Sequence, residues 1–248
     1  MKTFHLLAAA LCTALIGTSS LAQDTESVKA ALKAKLPEAP VDSVRKLPLG
    51  NLYEATAGGE IFYTDEKVTF VLIGTLLDAK TKENVTEARM KQLNAVKFGD
   101  LPLDSAIKIV RGNGSRKVAI FADPNCGYCK RFERDLLAIS DITVYTFLYP
   151  ILSPDSLDKS KAIWCSSDKG KAWIDYMTKN VNPAGDAKCN TGAIDRSLAF
   201  GKDKNIRGTP TIIFEDGDRV PGAMPIAQFE KKIGGQKAAA APSATTKQ

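Results

Sequence analysis

Two cysteines with two residues between them, Cys126-Gly127-Tyr128-Cys129, separate an apolar strand expected over residues 118–121 from a helix expected over 130–137. No other feature limits the fold as much. The spacing lets the two sulfurs close a small ring across a first helical turn, so strand, turn and helix must follow one another there. At a helix N-terminus the dipole and the unpaired backbone N–H groups stabilise a thiolate, which lowers the pKa of Cys126 and makes it nucleophilic near neutral pH. Cys129, one turn further in, is expected to be less exposed and to take the resolving role, attacking Cys126 to release a stalled mixed disulfide.

Whether such a pair is redox-active depends on what else the chain offers. There are five cysteines and one histidine in 248 residues, and residues 1–22 read as an export signal. Lys2 supplies the positive start, residues 4–16 an almost wholly apolar run too short to span a bilayer comfortably, and Ser20-Leu21-Ala22 a small-x-small cleavage site. Cleavage near Ala22/Gln23 and a periplasmic location are therefore expected. His5 and Cys12 leave with the signal, so the mature chain keeps four cysteines and no histidine. An even cysteine count in an exported chain points to disulfide chemistry. A zinc site needs a second cysteine pair or histidines, and Cys165 and Cys189 are too far apart to form a second knuckle, so no metal and no cofactor are expected. A purely structural Cys126–Cys129 bridge would close so short a loop that it restrains little of the unfolded chain. A redox role is the better reading.

The charge balance is 34 basic against 28 acidic residues, a net +6 that becomes +5 once Lys2 is lost. The basic residues are scattered among acids, which describes a solvated surface and no nucleic-acid partner.

Along the chain, residues 24–36 carry Val28, Ala31, Leu32 and Leu36 at helical spacing, and Pro37 and Pro40 end that helix. Strands are expected over 49–53, 60–64 and 68–73. A segment of about 60 residues buries only about 60% of its unfolded surface and leaves open strand edges, problems that pairing with a second copy would solve. Asn84 and Glu87 read as a capping box opening a mostly polar helix that Gly99 and Pro102 end, with residues 84–104 linking two domains. From residue 105 to 235 strands alternate with helices: strands over 118–121 and 142–148, helical material through Met177, a hairpin of 211–214 with 219–220, and a last helix over 226–233. Residues 236–248 have no periodicity and are expected to be a disordered tail.

Gly208-Thr209-Pro210 precedes the apolar strand Ile212-Ile213-Phe214. Proline is tolerated at a strand start, but a cis Thr209–Pro210 bond would instead expose the Thr209 backbone beside the sulfurs. With a Cys-x-x-Cys upstream, the two features form a pattern.

That pattern resembles the DsbC/DsbG family of bacterial periplasmic disulfide isomerases, which have a thioredoxin fold. The resemblance covers nearly the whole chain. It rests on residues 59–64 (GEIFYT), 121–125 (FADPN) leading into the Cys-Gly-Tyr-Cys core, Ile163-Trp164-Cys165, Cys189, Gly208-Thr209-Pro210 and Val220-Pro221-Gly222. The Gly127-Tyr128 pair separates the chain from the DsbG branch and from DsbA oxidases, which place a proline or a Pro-His pair there. The resemblance implies an α+β, cystatin-like N-terminal dimerisation domain over 23–83, joined by the linker helix to an α/β thioredoxin-like catalytic domain. It further implies a V-shaped homodimer with a cleft for misfolded exported proteins, and a membrane reductase of the DsbD type that keeps the active cysteines reduced. Cys165 and Cys189 match the family's structural disulfide, which on loop entropy contributes about 3.5 kcal/mol; the lack of Cys-x-x-Cys geometry there favours a structural pair over a regulatory one. Where thioredoxins bury an Asp six positions before the first cysteine, this chain has Ile120, and Asp123 on the approach loop is assigned no proton-transfer role.

The expected activity is disulfide isomerisation through a mixed disulfide at Cys126. Thr209 and Pro210 would position the substrate, and Gly127 and Tyr128 would tune the potential. A chaperone role fits beside it. A net dithiol oxidase and a holdase without redox catalysis are the rival readings.

Overall fold

The computed structural model describes residues 19–185 and 188–239, so residues 1–18 of the export signal and residues 240–248 of the tail lie outside the described residues. The chain divides into two compact units, residues 1–90 and 91–248.

In the first unit, helix α1 (Ser19–Lys35) and strands β1 (Val41–Lys46), β2 (Leu52–Ala57), β3 (Glu60–Asp65) and β4 (Val71–Leu72) form an antiparallel sheet in sequence order with a helix on it. Val28 and Leu32, one turn apart, are fully buried against Val41, Tyr53, Ala55 and Phe62. Helix α1 begins earlier than the sequence suggested, taking in the small-x-small segment, and stops before Pro37. Strand β1 was not expected: its sequence VDSVRK is polar because it is an edge strand with half its positions open. The run 68–73 yields only a two-residue strand. Val68 takes φ 51°, which ends the extended run; the Asp65 carboxylate accepts from the Thr69 N–H at 2.6 Å, and the Lys35 ammonium donates to the Val68 carbonyl at 2.8 Å.

Asn84 caps helix α2 (Val85–Asn94): its Oδ1 accepts the Glu87 N–H at 2.9 Å, and its amide donates back to the Glu87 carboxylate at 3.1 Å. The helix does not reach residue 104. It ends at Asn94, before Gly99 and Pro102 are reached, and short 3-10 turns at Phe98–Asp100 and Leu103–Ser105 follow. No residue of α2 is buried.

The second unit centres on a five-stranded sheet in the order β5-β7-β6-β8-β9: β5 (Ile107–Arg111), β6 (Arg116–Ala122), β7 (Ile142–Leu148), β8 (Thr211–Phe214) and β9 (Arg219–Pro221). Strands β6 and β7 run parallel, joined through helix α3 (Gly127–Leu136), and the other pairings are antiparallel. Both sheet faces are covered, which is why β6 is a continuous apolar run. Val118, Ile120 and Ala122 face a core shared with α3, α4 (Pro154–Trp164), α5 (Lys169–Lys179) and α7 (Ile226–Ala239). Ala119 and Phe121 face the opposite core, with Phe147, Tyr149 and Ile213, against which α6 (Gly192–Asp203) packs Leu198 and Phe200. Helix α6 and edge strand β5 were not anticipated. Helix α7 continues to Ala239, so residues 236–239 are helical and do not belong to a disordered tail.

Candidate active site

The active-site loop is built where β6 ends. Its last residues, Phe121 and Ala122, are fixed in the sheet, and the chain then turns through Asp123-Pro124-Asn125 into α3. Asp123 is fully buried yet satisfied. Its Oδ1 accepts the Asn125 N–H at 2.8 Å, and its Oδ2 accepts the N–H groups of Ile151 and Leu152 at 2.9 and 3.0 Å. That bonding makes Asp123 a loop anchor. Asn125 is the second anchor: its amide donates to Asp155 Oδ2 at 2.7 Å and to the hydroxyls of Ser153 and Ser156, while its Oδ1 accepts the Tyr176 hydroxyl at 3.1 Å. Asn125, Tyr176 and Asp155 thus hold the loop against α4 and α5, roles invisible in sequence because the partners lie 30 and 51 positions away.

Cys126 is the N-cap residue of α3. Its backbone N–H donates to the Asp123 carbonyl at 3.1 Å, and its sulfur accepts the Cys129 N–H at 3.3 Å. Across the fold, the Cys126 thiol meets the Thr209 carbonyl at 3.3 Å. The Thr209–Pro210 peptide is cis, and the Pro210 carbonyl accepts the Gly222 N–H at 2.7 Å, tying this loop to the segment after β9. Both cysteines are free thiols and buried.

Their environments push them apart. The Cys126 thiol is drawn from 9.0 to about 5, first by its hydrogen bond with the Cys129 thiol, with Thr209 and the N–H groups of Cys129 and Tyr128 adding and burial opposing. The Cys129 thiol is pushed well up, first by burial and then by the Cys126 sulfur beside it. Gly127 is exposed and open on its Cβ side, and Tyr128 projects into solvent at 71% exposure. Cys165 and Cys189 form a disulfide between the end of α4 and the approach to α6. Among the described residues no group of three metal-ligating side chains comes together, and no helix is long and apolar enough to cross a membrane.

A carboxyl does lie buried on α3, one turn beyond Cys129: Glu133, held up from its ordinary pKa by burial, accepts the Trp173 indole N–H at 3.0 Å and the Arg111 guanidinium at 3.4 Å. It fastens α3 to α5 and β5. Ile120 is a core residue of the α3 side.

Residues 19–87 match the disulfide bond isomerase N-terminal domain, and residues 103–236 match a thioredoxin-like domain. The chain is 47% identical over 84% of its length to a probable thiol:disulfide interchange protein DsbC of Bordetella pertussis, covering 74% of that protein. The chain belongs to the DsbC family. The DsbC of Escherichia coli K12 is 28% identical over 89% of this chain and 92% of its own. A crystal structure of a disulfide interchange protein from Neisseria gonorrhoeae superposes with a TM-score of 0.52 at 41% identity, over 54% of this chain and 97% of that one. As a member of this family, the chain is a thiol:disulfide oxidoreductase with disulfide isomerase function, acting on disulfide-bearing substrates.

Proposed function

We propose that this protein is exported to the periplasm and rearranges wrong disulfides in exported proteins through a mixed disulfide at Cys126, with Cys129 as the resolving thiol. The observation that carries this reading is the placement of Cys126 as the N-cap of α3, its sulfur accepting the Cys129 N–H and meeting the Thr209 carbonyl, with Cys129 buried one turn further in. A Cys126 thiolate attacks one sulfur of the substrate disulfide, the S–S bond breaks, and the other sulfur leaves as a thiolate. A substrate thiolate then attacks the mixed disulfide, and Cys126 leaves. Leaving is fast when the leaving thiol has a low pKa, so the mixed disulfide is kept exchangeable. Cys129 attacks slowly because burial keeps it protonated, which gives the substrate time to rearrange. When Cys129 does attack, a Cys126–Cys129 disulfide forms and the substrate departs reduced. Electrons must then come from a membrane reductase of the DsbD type. The Thr209 carbonyl, beside Cys126, and Pro210 set where the substrate chain lies.

The N-terminal unit supports a homodimer. Strand β4 pairs with β3 through only Tyr63↔Leu72 and Thr64↔Val71, and the surrounding Phe70, Val71, Leu72, Ile73 and Leu77 are all exposed. An open apolar edge of that kind invites another strand. Residues 23–83 would then be the dimerisation domain, 105–235 the catalytic domain, and the paired chains would add chaperone activity toward unfolded substrates.

Cys126→Ser should abolish refolding of scrambled ribonuclease, whereas Cys129→Ser should retain exchange and accumulate covalent substrate complexes on non-reducing gels. Isomerisation that survives Cys126→Ser would overturn the nucleophile assignment. A protein that only inserts disulfides into reduced ribonuclease would be an oxidase, and one that suppresses aggregation without either cysteine and never exchanges disulfides would be a holdase.

A further inference from the structure

Beside the redox turn lies a cavity of about 270 Å³ that the exchange chemistry does not use. One wall is α3 itself, where Tyr128, Arg131, Phe132 and Asp135 line it. The other is the segment Ala223-Met224-Pro225 after β9. That segment is brought over α3 by Gly222, whose φ of 88° turns the chain back, and it is fixed to the active site because the Gly222 N–H donates to the Pro210 carbonyl. The two walls therefore descend from the two halves of the redox centre, the cysteine turn and the cis-proline loop.

The lining is chemically divided. Tyr128, Phe132, Met224 and Pro225 supply apolar surface, and Arg131 and Asp135 stand exposed at the rim. The space is below the roughly 300–1,000 Å³ of sites that hold drug-sized molecules, so its size suits a single side chain. Continuity with the cysteines names the occupant: the opening lies beside the redox turn, walled by the two segments that flank it, where a chain whose disulfide is under attack comes within reach. The cavity's middle level, at Arg131 and Phe132, lies five to six residues along α3 from Cys126, about 8–9 Å at 1.5 Å per residue. An extended substrate advances about 3.3 Å per residue, so that distance spans two to three residues.

We propose that this cavity is a substrate subsite that takes an apolar side chain, preferably aromatic, two or three residues from the substrate cysteine that Cys126 attacks. It rests on the reading of Cys126 as the nucleophile and adds a sequence preference to it. A buried apolar group is exposed in a misfolded protein and hidden in a finished one, so the subsite favours chains that still need rearrangement.

The test uses the full chain and disulfide-bearing peptides that differ by one residue, Phe or Ser, placed two, three or six positions from the cysteine. Phe should raise kcat/KM for peptide reduction about tenfold at two or three positions and leave it unaltered at six. Met224→Glu, which puts a carboxylate beside Asp135, should reduce the Phe/Ser ratio to below about twofold. Because Met224 also packs on the core, Ala223→Trp serves as a second variant: Ala223 is exposed, and the indole would fill the space from its rim. It should depress the ratio in the same way. Equal rates for Phe and Ser peptides, or a Phe advantage that persists in both variants, would overturn the subsite while leaving the redox reading intact. A wild-type chain that reduces none of the peptides would overturn both.

Discussion

Two sulfurs one helical turn apart carry opposite tendencies, and the difference can be read out by pH. The sign follows from the folded-state value of Cys126. Between about 5 and 9.0 the reduced folded protein holds fewer protons on this thiol than the unfolded chain does. Its contribution to stability therefore rises with pH across that window, is complete above 9.0, and is lost as pH falls through about 5. Iodoacetamide labelling of Cys126 should titrate with a midpoint near pH 5, while Cys129 stays unlabelled below pH 9. The stability difference between the reduced protein and Cys126→Ser, from chemical denaturation, should grow from pH 5 to pH 9. A labelling midpoint near 8 or 9 would mean that Cys126 is an ordinary thiol. The surrounding residues divide by the same logic. Asp123 accepts from three backbone N–H groups and Asn125 from Tyr176, so both hold the loop.

At the level of elements, α3 is positioned from three sides: by the sheet it follows, by the Asp123–Asn125 loop, and by Glu133 reaching Trp173 and Arg111. Helix α6 is held differently, by close approach. A Cβ on Gly201 would clash with the Tyr149 ring and hydroxyl, and Tyr149 spends its hydroxyl on the Ile206 carbonyl at 2.9 Å, so the ring has little freedom to yield. Gly201→Ala should cost about 1–3 kcal/mol in urea denaturation even though alanine is the better helix former, because overpacking outweighs propensity. Stabilisation by Gly201→Ala would show that the contact relaxes freely. The bridge between Cys165 and Cys189 ties the end of α4 to the approach to α6. Replacing both by alanine should lower stability by about 3 kcal/mol and leave exchange at Cys126 in place, since the bridge acts mainly on the unfolded chain.

For the whole molecule, the consequential surface is the β4 edge. Ile73 is 82% exposed there, beside Leu72 at 50%. Ile73→Lys should shift the protein from dimer to monomer in sedimentation equilibrium, since a lysine on an open edge blocks strand addition. Isomerisation of scrambled ribonuclease should fall several-fold while insulin reduction by single sites persists. A dimer that survives this change, and also survives removal of residues 23–80, would place the contact elsewhere.

The sequence was enough for the redox turn and for the alternation of strands with helices, because each depends on residues near in sequence; the Thr-Pro loop gained meaning only beside the Cys-x-x-Cys, and the pairing of Cys165 with Cys189, 24 positions apart, came through the family resemblance. Asn84 and Glu87 announce their helix for the same reason: a capping box is closed within four residues. The polar edge β1 does not announce itself, since a strand with one open side need not be apolar. Nor does the end of α2 at Asn94, where the chain breaks well before Pro102. The nucleophilic bias of Cys126 follows from local sequence, since its largest partner, Cys129, is three residues away; the tertiary structure decided the rest of the environment. Burial, which raises the Cys129 thiol, and the contact of Cys126 with Thr209, 83 positions along the chain, exist only once distant segments are folded together.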